Sequence, residues 1–457
     1  MLRSFILLGC FIVFLLGITV IEFPDGLAAV GMVSILAVAI VFAIRRFADD
    51  SDFLISVFLA ALVLRMGLGI IIHAFELREF FGPDAIAYDI DARHLLDVWM
   101  GRADLGGNLL FQTQERSASF WGIYVLTAGI YYILGPNLFA AQSFVAVVGA
   151  ATAPMVFLCS KAIFANAKVA RFTAISIAVF PSFIVWSSQL LKDGLVIFLL
   201  VTVMVTVLEL QRKFSYASMA ILVFSLMGIL SVRFYVFYMA VVAVGGSFLV
   251  GLSRSNVSIL RNALVIIVLG FALIYFGVDR RALQEFEVFG NLERVQIGRL
   301  DLARSAESGF DTSADVSTTE GAISTIPRGF IYLMFAPFPW EATNLRQAIT
   351  IPEVLIWWAA LPFFIIGLIY TLRHRLRSAF PILIFSVLLT LTYSISQGNV
   401  GTAYRQRTQI QVFMFIIIGA GVTVYKEKKE NERIIRQAAQ RRVDEALRAG
   451  AMAIGKR

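Results

Sequence analysis

Seven carboxylates crowd into residues 76–108, ELREFFGPDAIAYDIDARHLLDVWMGRADLGGN: Glu76, Glu79, Asp84, Asp89, Asp91, Asp97 and Asp104. Long apolar runs flank them on both sides. Carboxylates at the mouth of a membrane helix are costly unless they are used, so the stretch reads as a reactive lip. Later in the chain, short segments between apolar runs carry Lys192, Arg233, Arg328, Arg346, Arg405 and Arg407, together with one more acid, Asp193. Carboxylates beside several guanidiniums suit a reaction on a phosphorylated substrate. Arg grips phosphate oxygens in a bidentate fork, and a carboxylate can take the proton of an attacking hydroxyl. In a membrane setting that phosphate hangs from a lipid. The bland alternative for each residue is solvation or mutual pairing. Arg233 resists it best, because its turn between two apolar runs is very short.

The elements that must position these groups are membrane helices. Of 457 residues, 59% are hydrophobic and only 15% charged, and the mean hydropathy is +0.81. A soluble chain carries about 25% charged residues. Many apolar runs reach the roughly 20 residues that span a bilayer, whereas a barrel would show alternating ten-residue segments. The expected fold is an all-α polytopic membrane protein. The net charge of +8 comes from short loops and the tail, as membrane topology requires, and does not imply nucleic acid. Cys10 and Cys159 sit inside apolar runs and read as unpaired core thiols. His73, His94 and His374 are scattered, so no zinc spacing, disulfide framework or His-based metal site is expected.

Hydropathy and the placement of Lys and Arg together predict about twelve spans with both termini cytoplasmic. They fall at 3–22, 27–44, 53–75, 138–160, 172–189, 194–210, 215–231, 234–252, 262–277, 352–371, 379–396 and 408–425. Segment 118–134 is short and aromatic and reads as an interfacial or re-entrant helix. Five regions result: two N-terminal spans (1–52), a transmembrane core (53–277) with its acidic outer loop (76–118), an outer loop (278–327), a C-terminal transmembrane part (328–425) and a charged cytoplasmic tail (426–457). The first half of loop 278–327 reads as amphipathic surface helix. Its Ser/Thr/Gly/Asp-rich second half reads as mobile loop, and 328–344 as a second interfacial piece broken by Pro337 and Pro339. Arg65, near the middle of a span, is expected to serve an acid or backbone carbonyls.

The run Asp84-Ala-Ile-Ala-Tyr88-Asp-Ile-Asp-Ala92, followed by Leu95 and Gly101, resembles the first outer loop of GT-C glycosyltransferases. That superfamily includes the lipid A aminoarabinose transferase and protein O-mannosyltransferase group, which places an Asp and then a Tyr four residues later after an outward span. FWGIYVLTAGIYYILGPN looks like the family's short helix and Gly-containing turn. AVFPSFIVWSSQLLKDGLVIFLL is similar to the span bearing a second acid, here Asp193. RGFIYLMFAPFPWEATN and QGNVGTAYRQR look like bacterial members linked to surface polysaccharide synthesis. The resemblance covers most of 53–425. Two departures stand out: the two extra spans before the lip, and Ala85 where many relatives carry a second acid, which argues against a paired-carboxylate metal site.

What the resemblance implies is transfer of a sugar, with inversion, from a polyprenyl-phosphate donor to a glycan or lipid acceptor, on the outer face of a bacterial inner membrane. Asp84 would be the general base, with Asp91 next in line and Asp193 orienting the acceptor or a cation. Arg233, Arg405 and Arg407, helped by Lys192, would hold the leaving phosphate, and Tyr88 and Arg328 would contact substrate. A divalent metal stays open, although the sequence supplies no cage. If 85–97 is helical, Asp84, Tyr88 and Asp91 share one face and Asp89 turns away. One rival is an O-antigen or exopolysaccharide polymerase or ligase, kept open by Arg405 and Arg407. The other is a lipid-linked saccharide transporter or flippase. It needs polar groups along the spans, where only Arg65 and Glu209 stand out, and no internal repeat supports it.

Overall fold

A computed structural model of the chain describes residues 2–102, 121–250, 256–278, 282, 290–304, 308–342 and 344–454. The expectations for Asp104, for residues 118–120 and for surface helix over 279–289 lie outside these.

Three helices open the chain: α1 (Leu2–Val20), α2 (Asp25–Phe47) and α3 (Ser51–Ala74). The acidic lip folds as a short helix α4 (Arg78–Phe81) and a longer α5 (Asp84–Trp99), with Pro83 at the entrance of α5. Helix α6 (Trp121–Leu134) has 14 residues. At 1.5 Å per residue it extends about 21 Å, short of the ~30 Å hydrocarbon layer. Asn137 caps α7 (Leu138–Phe164) by accepting from the Ala140 N–H at 2.8 Å, and its amide donates to Asp25 O of α2 at 2.9 Å.

Helix α8 (Ala167–Val179) stops early. The expected span 172–189 is broken here. Pro181 biases the residue before it away from helix, Phe180 is extended, and a separate short helix α9 (Pro181–Val185) starts at the proline. Residues 186–191 then run irregularly into α10 (Lys192–Arg212). The break frees C-terminal carbonyls of α8. Arg65 answers them: it donates to Ala178 O at 3.2 Å and Ile177 O at 3.3 Å, and to Ser187 Oγ at 2.8 Å. Of its two expected partners, carbonyls are the ones found.

Next come α11 (Tyr216–Val232), capped by Ser215, then α12 (Phe234–Val250), α13 (Asn256–Tyr275) and α14 (Leu292–Arg304). Thr318 caps α15 (Thr319–Phe335), and Asn344 caps α16 (Leu345–His374). The last two are α17 (Leu376–Ser396) and α18 (Val400–Ile454). The expected mobile loop at 308–325 is in fact structured. Its Ser, Thr, Asp and Gly residues make turns and a cap. Phe310 N donates to Gly398 O and Val400 N to Ser308 O, both at 2.9 Å, and Gly309 bridges Asn399.

Seven helices among the described residues are long and apolar enough to cross a membrane. They are α2, α3, α7, α10, α16, α17 and the first part of α18. Within α1, α6, α11, α12 and α13 the apolar stretches Phe5–Val20, Trp121–Leu134, Tyr216–Val232, Phe234–Val250 and Ile259–Tyr275 are shorter. The chain is therefore an all-α polytopic membrane protein, with seven full-length candidate spans where about twelve are predicted from hydropathy. Part of the difference is length: hydropathy counts apolar residues, whereas the 13 residues of α8 and the 17 of α11 fall short of a full crossing.

Helices α7 and α10 form the centre and are buried along most of their length. The Ala-, Gly- and Ser-rich sequence of α7 lets α2, α3, α8 and α10 approach closely. Helices α16 and α18 touch backbone to backbone. A Cβ on Gly367 would meet Ile417 O at 2.0 Å, and one on Gly421 would meet Phe363 O at 1.9 Å. At one end of the bundle Asp50 binds Lys161 at 3.0 Å and Arg171 at 3.1 Å. Asp84 and the first turns of α10, α12 and α18 gather at the other end.

Candidate functional site

Four helix starts converge. Asp84 opens α5, and Lys192 and Asp193 open α10, where an acid complements the unpaired N–H groups of the first turn. Arg233 is the single residue between α11 and α12. Arg405 lies in the second turn of α18.

Asp193 is fully buried and held by two cations: Arg233 Nη2 on Oδ1 at 2.6 Å, and Arg405 Nε at 2.9 Å from Oδ2. Arg405 also donates through Nη1 to Asp84 Oδ2 at 2.7 Å. Arg233 reaches the Tyr235 hydroxyl at 3.3 Å. Lys192 shares the field of Arg233, Asp193, Arg405 and Asp84. Tyr88 is buried one helical turn beyond Asp84. Burial first, then the Asp84 charge, hold its phenol above its ordinary pKa, so it stays neutral. Six of the nine residues singled out in the sequence thus meet: Asp84, Tyr88, Lys192, Asp193, Arg233 and Arg405.

The cluster faces a cavity of about 1080 Å³. Asp84, Arg405 and Arg346 stand on its polar wall, and Phe80, Phe81, Val185, Trp186, Leu345 and Ile349 contribute to its apolar wall. Asp193, Arg233, Lys192 and Tyr88 do not line it and form a layer behind. Of the two carboxylates that line the cavity, Asp84, with 43% of its side chain exposed, is the open one and Glu353 the buried one. Asp193 accepts a hydrogen bond from Arg233 through Oδ1 and is ion-paired with Arg405 through Oδ2.

Three of the nine lie elsewhere. Arg407 is fully buried and donates through Nη1 to Met334 O and Ala336 O at 2.9 Å and Leu333 O at 3.5 Å. It closes the carbonyl end of α15 at the Pro337 break, as Arg65 closes α8 at Pro181. The sequence reading puts Arg405 and Arg407 on one loop. The chain is helical from Val400, so two residues apart they diverge by about 200°. Arg328 pairs with Asp311 at 2.7 Å beside a separate, smaller cavity. Asp91 meets Tyr124 and the field of His94; burial, only partly offset by these, raises its carboxyl pKa. Asp89 turns off the Asp84 face, as the helical spacing predicts, to accept from Tyr131 and Arg93.

Sequence reasoning missed a second buried group on the cavity wall. Glu353 on α16 accepts from Ser182 Oγ, which also lies 3.0 Å from the Tyr404 hydroxyl. An acid at the start of an apolar span was the available signal. Arg346 was noted as an outer cation only; it donates to Glu79 O at 2.9 Å and covers the Phe80 ring. Among the described residues no three or more His, Cys, Asp or Glu side chains gather where they could hold a metal.

Fold and site together define a polytopic helical membrane protein with a buried ion-pair cluster against a large, mostly apolar cavity. No family model and no curated protein matches the chain. Among solved structures it is similar to the crystal structure of ArnT from Cupriavidus metallidurans bound to undecaprenyl phosphate, with 14% identity and a TM-score of 0.43. The match covers 67% of this chain and 50% of that one, so the chain spans about half the length of that relative.

Proposed function

We propose that the protein is a membrane glycosyltransferase of a bacterial inner membrane. It moves a sugar from a polyprenyl-phosphate donor to a glycan or lipid acceptor at the outer face. The observation that carries this reading is Arg405, which links Asp84 on the cavity wall to buried Asp193. The apolar wall suits a polyprenyl chain, and Arg405 and Arg346 suit its phosphate. The acceptor oxygen attacks the anomeric carbon and its proton passes to Asp84. The sugar–phosphate C–O bond breaks, and the released polyprenyl phosphate keeps the electron pair against the two guanidiniums. Asp193, itself held by Arg233, positions Arg405 from behind, Lys192 adds to the positive field, and the GT-C resemblance of the lip points the same way. Single-turnover transfer from polyprenyl-phosphate sugars by purified protein tests the reading. No transfer from any donor, with no binding of undecaprenyl phosphate, would remove it.

A second reading rests on Arg346, a second guanidinium on the same wall. Two wall cations also suit a diphosphate, as a polymerase or ligase acting on polyprenyl-diphosphate saccharides would meet. Tighter binding of undecaprenyl diphosphate than of the monophosphate, dependent on Arg346, would favour it.

A further inference from the structure

The smaller cavity has a volume of about 310 Å³ and is bounded by the strap at 308–311, by α15 and by the turn at 337–341. It shares Ser308, Pro337, Gln347 and Val400 with the large cavity, so the two stand on either side of one thin wall. Nothing in the donor chemistry above uses it.

Its lining is aromatic and polar together. Phe310 and Tyr332 stack at 4.3 Å with planes 4° apart, and Tyr332 meets Phe338 edge-on at 5.5 Å. Asp311, Arg328 and Glu341 supply the polar groups. The framework is built rather than incidental. Asp311 is held at 8% side-chain exposure by Arg299 at 3.1 Å and Arg328 at 2.7 Å. Its φ of 54° is a left-handed backbone that Asp tolerates better than most residues. The Tyr332 hydroxyl lies 3.3 Å from Glu341 Oε1. Arg328 remains 56% exposed, and a guanidinium carries five N–H donors.

The charge balance decides the ligand class. Asp311 and Glu341 are balanced by Arg328 on the lining and by Arg299 behind Asp311, so the site has no net charge to draw a phosphate or another ion. Carboxylates accept from hydroxyls, a guanidinium donates to them, and aromatic side chains pack against apolar C–H faces. A neutral polyhydroxylated ring satisfies all three. The volume, near the lower end of ligand pockets, admits a ring or two and no lipid.

We infer that this cavity binds a pyranose ring of the acceptor saccharide. It holds the acceptor across the Ser308–Val400 wall from Asp84 and Arg405. The acceptor assignment rests on the glycosyltransferase reading; the sugar site itself does not.

The test is saturation-transfer NMR on the full chain in nanodiscs, with methyl glycosides of glucose, galactose, mannose and N-acetylglucosamine. Wild type and Lys168→Ala, at the far end of the bundle, should both saturate at least one glycoside. Glu341→Gln and Arg328→Met should each bind it about tenfold more weakly, the loss expected for a charged hydrogen bond. Glu341 is exposed, so Glu341→Gln should unfold at the wild-type temperature and exclude misfolding, whereas Arg328→Met also takes a partner from buried Asp311 and should unfold somewhat lower. Absence of binding by every glycoside, or equal binding by both variants, overturns the site. Competition by a polyprenyl-phosphoryl mannose marks the sugar as the donor's and overturns the acceptor assignment. Undecaprenyl phosphate binding in the same preparation separates the two ideas. Its loss with glycoside binding intact removes the donor chemistry, and the reverse removes only the sugar site.

Discussion

Arg405 Nη1 lies 2.7 Å from Asp84 Oδ2, and the same guanidinium reaches Asp193 Oδ2 at 2.9 Å. One side chain of α18 therefore ties the first turn of α5 to the first turn of α10. Asp193 is fully buried, and without Arg405 it still has Arg233 as an ion-pair partner. Breaking such a pair typically costs about 3–5 kcal/mol, because a buried charge loses compensation. Arg405→Ala should lower the thermal midpoint of the purified protein and abolish undecaprenyl phosphate binding. Arg405→Lys should recover part of the stability and less of the binding, since it keeps the charge and loses the fork. An alanine variant that unfolds and binds like wild type would refute the bridge.

Arg407 should behave in the opposite way. Its Nη1 serves the carbonyls of Met334 and Ala336 at the end of α15. Arg407→Met strands those acceptors, at about 1–3 kcal/mol for each buried group left unpaired. The thermal midpoint should fall while donor affinity in the surviving folded fraction stays within about twofold, a difference of roughly 0.4 kcal/mol. A loss of donor affinity at unchanged stability would return Arg407 to the phosphate site.

These two arginines mark what was legible in the sequence. The helical class, the lip and the choice of Asp84, Asp193, Arg233 and Arg405 as candidates followed from residue type and from position at the ends of apolar runs. Residues that far apart are joined by tertiary packing alone, and the charge rule assigned them to one side of the membrane. Two things were not legible. One was where a helix begins: Val400 rather than 408 opens α18, and that shift sends Arg405 and Arg407 to different faces. The other was where a helix stops. Pro181 breaks an apolar run that hydropathy treats as continuous, and Arg65 is buried for the carbonyls released there; the break at Pro337 was legible, but not the burial of Arg407 against the carbonyls before it. Glu353 was hidden for a related reason, because an acid at the start of a span looks like a boundary residue until Ser182 is brought against it.

Orientation in the membrane follows from the two ends of the bundle. Asp50, Lys161 and Arg171 share one end, near Arg45 and Arg46 at the end of α2, and the charge rule predicts that this end is cytoplasmic. In a protein with Cys10→Ala and Cys159→Ala, Ser324→Cys should react with an impermeant maleimide on intact cells. Lys168→Cys should react only after the membrane is opened. The reverse pattern would invert the protein and put Asp84 on the cytoplasmic face.

Asp91 gives a pH signature distinct from catalysis. Burial raises its carboxyl pKa, with the His94 charge and a Tyr124 hydrogen bond opposing. A carboxyl whose folded pKa is raised favours the folded state when protonated. Its contribution is present below the unfolded pKa of about 3.9 and is lost as pH rises through the higher folded pKa. Asp91→Asn cannot ionise and escapes that loss. Its thermal midpoint should equal or exceed wild type near pH 7, with the gap closing as pH falls toward about 4. A variant less stable than wild type near neutrality would mean that the Asp91 charge is used by the fold.

Asp84 is the residue on which the proposed chemistry turns. It lines the cavity with 43% of its side chain exposed, whereas Asp193 is sealed behind Arg405 and Asp89 is occupied by Tyr131 and Arg93. One of its oxygens, Oδ2, holds Arg405, which fixes the carboxylate beside the guanidinium proposed to hold the leaving phosphate. The same arrangement predicts how a variant divides its effects. Asp84→Asn keeps the shape and an oxygen for Arg405 and removes the basicity. Folding and undecaprenyl phosphate binding should survive, while single-turnover transfer falls by a factor of about 10² to 10⁴, the usual contribution of a general base. Asp84→Ala also releases Arg405, so it should lose donor affinity in addition. Asp89→Asn should leave the rate near wild type and act on stability instead. Transfer at the wild-type rate by Asp84→Asn, with Glu353→Gln inactive, would move the base to the other carboxyl on the cavity wall.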